Sequence, residues 1–209
     1  MSLRLATWNC HHGELRTRAA LLDGLRPHIV ALQECSAPVP AGRDVAWEGF
    51  SPGKGVGVRV GAGSEVALVS DATAGGRSAR LFQVSGAVEL QLLVFWAHRE
   101  PTYVRGVAAA LDAYATAIRS APTVLLGDFN SNKLWDGDEP DISHSTLVAR
   151  LRDDFGLVSA YHAFHGEAQG AESRPTIYWR RKRSQPYHVD YCFVPEGWVE
   201  RIDDVAVGG

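Results

Sequence analysis

Thr123-Val124-Leu125-Leu126-Gly127-Asp128-Phe129-Asn130 decides how the rest of the chain is read. A short run of β-branched and apolar residues, bounded by glycine, describes a strand buried on both faces. Asp128 and Asn130 stand just past its carboxyl end. The same arrangement recurs outward from here. Asn9 follows Leu5-Ala6-Thr7-Trp8, Glu34 follows Val30-Ala31-Leu32-Gln33, and His98 follows Leu93-Val94-Phe95-Trp96-Ala97. Strand ends at one sheet edge are rigid, and polar side chains placed there converge without a loop having to order first.

Between these landmarks the periodicity predicts helices over 14–26, 103–119 and 143–153. The first is closed by Pro27, and the second carries Val107, Leu111, Tyr114 and Ile118 on one face. Segment 36–55 is rich in Pro and Gly and reads as a loop. Alternation predicts strands over 56–60, 65–70, 79–84 and 88–97, split by Gly-rich turns into antiparallel meanders. Late strands are predicted over 176–179, 189–194 and 202–207. Three helices among about nine or ten strands make an α+β fold, with two sheets packed together and helices outside.

A chain of 209 residues fits one domain, so 1–209 is read as a single unit. The net charge of -3 gives no global pull toward a polyanion, so a phosphate-bearing partner must be drawn by a local patch or a metal. Three cysteines, Cys10, Cys35 and Cys192, have no metal-finger spacing and read as buried apolar residues. No apolar run is long enough to span a bilayer and no signal peptide is visible, so a cytoplasmic monomer is the expectation.

The residues gathered at the strand ends are two carboxylates, two amides and an imidazole. That is a hard-oxygen set with a proton carrier. It suits Mg2+, with Mn2+ as the alternative, better than zinc. Each residue also has a bland reading: Gly-Asp-x-Asn suits a turn, and a lone His98 suits a structural histidine. Arg180-Arg181-Lys182-Arg183, flanked by Trp179 and Tyr187, reads equally as a phosphate-contact segment with stacking aromatics or as a solvated hairpin tip. The stretch 133–144 holds Trp135 with Asp136, Asp138, Glu139 and Asp141, and reads as a substrate-selecting loop.

Trp8-Asn9, Leu32-Gln33-Glu34, Gly127-Asp128-Phe129-Asn130 and His188-Val189-Asp190-Tyr191, in that order, resemble the endonuclease/exonuclease/phosphatase superfamily. The resemblance implies two face-to-face mixed β-sheets flanked by helices, a four-layer α/β/β/α sandwich. It implies Glu34 as the main metal ligand with Asn9 beside it, and Asp128 activating the attacking water. Asn130 would hold Asp128 and a phosphate oxygen, His98 would bind the scissile phosphate, and Asp190 would orient a final catalytic histidine.

That histidine belongs to a Ser-Asp-His element, and no Asp-His pair occurs here. Truncation ahead of the element is the expectation, and His188 and His162 are the candidates to substitute. The function implied is a metal-dependent phosphodiesterase of nuclease type acting on a phosphate ester, nucleic acid included. A small-molecule or lipid-headgroup phosphatase and a catalytically silent phosphate-binding module are the alternatives.

Overall fold

The computed structural model describes residues 2–51, 53–69, 76–137 and 142–208. In chain order these form β1 (Leu5–Asn9), α1 (Leu15–Ala20), β2 (Ile29–Cys35), β3 (Val45–Ser51), β4 (Lys54–Val60), β5 (Ser64–Leu68), β6 (Ala79–Gly86) and β7 (Leu90–Trp96). Then follow α2 (Tyr103–Ser120), β8 (Thr123–Asp128), α3 (His144–Phe155), β9 (Leu157–Ser159), α4 (Ala160–His165), β10 (Ile177–Tyr178), β11 (Pro186–Tyr187) and β12 (Asp190–Pro195). One sheet has the order β1-β2-β4-β3 and the other β5-β6-β7-β8-β12-β9, with β10 and β11 as a separate hairpin. The pairs β1–β2 and β7–β8 are parallel and the rest antiparallel, so both larger sheets are mixed.

Period-two alternation builds the layers. Ile29 and Ala31 of β2, Leu92 and Val94 of β7, and Val124 and Leu126 of β8 all point into one core between the two sheets. Their neighbours point the other way. Val30 and Leu32 pack with Leu15 and Ala19 of α1, while Leu93, Phe95 and Leu125 pack with Val107, Leu111 and Leu147 of the outer helices. Continuously apolar strands are what sheets covered on both faces require. The expected four-layer sandwich is the observed fold.

The chain departs from the sequence reading where long-range pairing overrules local pattern. Segment 36–55 is not all loop. β3 finds its ladder on β4 despite its Gly and Pro neighbours, from Val45↔Arg59 to Ser51↔Lys54. The meander is only β5-β6-β7, because β4 belongs to the other sheet and the chain changes sheets at Gly61-Ala62-Gly63. The first helix is short. Glu14 caps it by accepting from the Arg16 and Thr17 amides, Leu15 and Ala19 are its buried residues, and Leu21 and Leu25 lie exposed. With Leu22 as its one further core contact, the rest becomes a 3-10 turn at Asp23–Leu25.

Segment 202–207 is extended but joins no sheet among the described residues. Ile202 and Val205 pack against the inter-sheet core, and the Val205 carbonyl accepts from His165 Nε2 at 2.9 Å. The strand read over 176–179 shrinks to β10, followed by a turn at Trp179–Arg181. β9 and α4 were not legible. The strand end at Ser70 and the loop residues Asp138, Glu139 and Asp141 lie outside the described residues.

Candidate active site

Asn9 ends β1, Glu34 lies near the end of β2, Asp128 ends β8 and Asp190 begins β12. The first two strands belong to one sheet and the last two to the other, so the residues meet where the two sheets share an edge. The Asn9 amide joins them. Its Nδ2 donates to Glu34 Oε1 at 3.0 Å and to Asp128 Oδ2 at 2.9 Å, while its Oδ1 accepts from the His11 amide. Asn130 completes the cradle, its Nδ2 donating to Asp128 Oδ2 at 3.0 Å and its backbone N–H to Asp128 Oδ1 at 2.8 Å.

The backbone is strained at these positions. Glu34 sits at φ 60, inside an irregularity where the β2–β4 register shifts between Gln33 and Cys35. A bulge breaks the alternation and re-aims one side chain, and a non-glycine residue at positive φ costs on the order of 1 kcal/mol. Asn130 is at φ 47. Gly127, at φ 129, brings its backbone so near β7 that a Cβ would stand 2.1 Å from the Phe95 carbonyl oxygen.

A cation already attends Glu34. Lys54 Nζ from β4 reaches Glu34 Oε2 at 2.5 Å, and His11 Nδ1 lies 3.4 Å from the same oxygen. Burial raises the Glu34 carboxyl, but the Lys54 and Asn9 hydrogen bonds and the nearby positive charge outweigh it and hold it below the usual range. Lys54 was missed by the sequence reading. Its only signal is a lone lysine between glycines before a strand, and what makes it matter is the β2–β4 pairing.

Asp128 and Asp190 face each other as partners across the β8–β12 ladder. Burial, then the facing Asp190, pushes the Asp128 carboxyl up against the lowering pull of Asn9 and Asn130. Burial likewise raises Asp190, whose Oδ1 is buried without a hydrogen-bond partner among the described residues. His98 lies two residues beyond β7, and Asn130 Nδ2 donates to the adjacent Ala97 carbonyl at 3.3 Å. The His98 ring packs on Trp96 and Phe50, its Nε2 is also buried and unpartnered among the described residues, and burial, then Arg77, lowers its pKa.

His188 and His162 do not fill the place beside Asp190. His188 Nδ1 pairs with the Arg174 carbonyl at 2.9 Å, and His162 bonds Ser159 and Glu172, both within a separate buried network. Among the described residues no group of three or more His, Cys, Asp or Glu side chains is gathered for a metal, and Glu34 is the residue that would hold a divalent cation. One partly exposed carboxylate that attracts a cation, beside a second carboxylate, matches an ion that keeps most of its ligands as water and phosphate oxygens. Asn9 turns its nitrogen to the carboxylates, an arrangement assigned by the hydrogen-bond network, and in this orientation it positions both of them.

The sequence pattern of the Endonuclease/Exonuclease/phosphatase family matches residues 6–204. No curated protein matches at a significant level. Among solved structures, the 3'-5' exonuclease NExo from Neisseria meningitidis superposes with a TM-score of 0.63 at 20% identity, over 95% of this chain and 89% of that one. The NExo structure described as a 3' phosphatase bound to a product DNA hairpin gives 0.63 at 19%, with the same coverage. An AP endonuclease from Archaeoglobus fulgidus gives 0.62 at 18%, over 95% and 89%. At these identities the structural likeness establishes the shared fold.

Proposed function

The chain belongs to the endonuclease/exonuclease/phosphatase family, and from that membership we propose that it hydrolyses a phosphodiester with the help of a divalent cation, magnesium with manganese as substitute. The observation that carries the reading is the single Asn9 amide donating to both Glu34 and Asp128. It holds a metal-binding carboxylate and a base at fixed separation. Glu34 would hold the cation, which supplies Lewis-acid polarisation of the phosphoryl oxygen. Asp128, fixed by three N–H donors, aligns a water for in-line attack on phosphorus and takes its proton, while the bond to the ester oxygen opposite breaks and that oxygen leaves and is protonated from solvent. Its raised pKa moves it toward the range in which a general base works near neutral pH. His98 offers its unpartnered Nε2 to a non-bridging oxygen. Asp190 positions whatever donor meets its free Oδ1. A neighbour of this fold is described as bound to DNA, and nucleic acid is the substrate class we carry over from it.

The test is release of p-nitrophenol from bis-p-nitrophenyl phosphate with magnesium, with manganese and with chelator. Metal-dependent release that falls ~10^3-fold in Glu34→Gln supports the proposal. Normal metal-dependent turnover by that variant overturns the role of Glu34. A second reading, a phosphate-binding module without turnover, draws on the unpartnered Asp190 Oδ1. It predicts no release, with magnesium-dependent binding of inorganic phosphate retained.

A further inference from the structure

Trp135 meets Trp179 and Tyr187 of the β10–β11 hairpin in one aromatic ledge, with both tryptophans exposed and Tyr187 half-buried. Trp135 lies 4.6 Å from Tyr187 and 6.3 Å from Trp179 between ring centroids, tilted or edge-on in both cases. Trp135 is 42% exposed and Trp179 44%. Large exposed rings in contact with each other are not a folding necessity, since burying them would have been favourable. Beside them the β10–β11 hairpin carries four consecutive exposed cations, Arg180, Arg181, Lys182 and Arg183, none ion-paired among the described residues.

The hairpin tip is held in one shape. Trp179 N–H donates to the Gln185 carbonyl, Lys182 N–H to Trp179 and Gln185 N–H to Lys182, each at 2.9–3.0 Å. Arg180 and Arg181 sit at φ 52 and 59. Two successive non-glycine residues in the left-handed region cost about 1–2 kcal/mol each, and both arginines are exposed. A short stretch of chain links the ledge to the candidate site. Tyr187 precedes Asp190 by three residues, which reach at most about 11 Å, or about three stacked nucleotides at 3.4 Å each.

We propose that this ledge and hairpin bind unpaired nucleotides of a single-stranded nucleic acid next to the scissile phosphate. Free ring faces accept bases that have left their own stack, and the four cations match the phosphates between them. A duplex keeps its base faces inside and offers the ledge nothing to stack on. The overall charge of -3 leaves binding to this local patch. The inference rests on the phosphodiesterase reading only for its consequence in catalysis, because binding is measurable without turnover.

The experiment is fluorescence anisotropy of a labelled oligodeoxythymidylate, in chelator, with wild-type protein, Trp179→Ala, Trp179→Phe and the double variant Arg180→Ala/Arg181→Ala. A matched DNA hairpin and inorganic polyphosphate serve as competitors. We expect Trp179→Ala to bind roughly 10-fold more weakly, given the ~1–3 kcal/mol per stacked base, and Trp179→Phe to recover most of that. The double arginine variant should flatten the log-log salt slope by about 1.4, and bis-p-nitrophenyl phosphate hydrolysis should stay at the wild-type rate in all three. Equal affinity for single strand and duplex, wild-type binding by Trp179→Ala, or equal loss in the Ala and Phe variants overturns the proposal. If the ester is hydrolysed while the ring variants bind normally, the ledge falls and the phosphodiesterase stands. If the ester is untouched while the ring variants lose the oligonucleotide, the reverse holds.

Discussion

Two buried polar clusters flank the loop after β8, and they differ in completeness. The first joins Asn9, Glu34, Asp128 and Asn130. The second joins Ser131, Asn132, His144, His162, Gln169 and Glu172. In the second, both nitrogens of His144 are satisfied, by Ser131 at 3.0 Å and Gln169 at 3.1 Å. Both nitrogens of His162 are satisfied as well, by Ser159 at 2.7 Å and Glu172 at 3.1 Å. Asn132 closes the circuit to Glu172 and to the His188 carbonyl. In the first, Glu34 and Asn130 carry left-handed backbone, and nearby His98 Nε2 and Asp190 Oδ1 are buried with no partner among the described residues. Buried polar atoms normally find partners, and each exception asks for a reason. The saturated cluster is a strut. The unsaturated one is where the proposed reaction is placed.

The comparison can be broken or sharpened by substitution. The largest effect is expected at Asp190→Asn, which keeps the shape and removes a buried carboxylate lacking one partner. Turnover on bis-p-nitrophenyl phosphate should fall about 10^2- to 10^3-fold, while thermal unfolding shows stability unchanged or slightly raised. A destabilised Asp190→Asn protein would place Asp190 among the struts. Next is Glu172→Gln in the saturated cluster, expected to lose about 2–3 kcal/mol of stability at pH 7 by urea unfolding while keeping full turnover per folded molecule. Hydrogen bonds from His162, Gly170 and Asn132 outweigh burial and hold the Glu172 carboxyl at about 2. Since the folded value lies below the unfolded one, that stability is present above about 4.5 and fades as pH falls toward about 2. The wild type should lose this increment across that window and Glu172→Gln should not. The smallest effect is at Lys54→Met. Removing the cation that competes for Glu34 should tighten Mg2+ binding by about 10-fold in calorimetry. Unchanged magnesium affinity would mean that Lys54 does not occupy the metal's place.

Much of this was legible because it is local. Apolar strands ending in polar residues marked Asn9, Glu34, Asp128 and Asn130, and the structure brings those four side chains into one network. The continuous apolar runs at Ile29–Leu32 and Thr123–Leu126 foretold buried strands, hence the layers. The face of α2 read at Val107, Leu111, Tyr114 and Ile118 is the buried face. The misses share one cause. β3 and the split of β4 from the meander depend on partners distant in sequence, and the short α1 depends on how little apolar surface reached it. Lys54 reaches Glu34 across a ladder between strands 20 residues apart in the pairing of side chains.

By itself the sequence determined the long strands and helices, the layered class and the order of family motifs, because hydrophobic periodicity and strand-end chemistry are properties of neighbouring residues. Only the tertiary structure decided that β4 crosses to the other sheet, that Asp128 faces Asp190, that Lys54 sits on Glu34, and that Trp135 meets the β10–β11 hairpin. Those are contacts between residues far apart in the chain. They exist only once burying both faces of each sheet has chosen one register out of many.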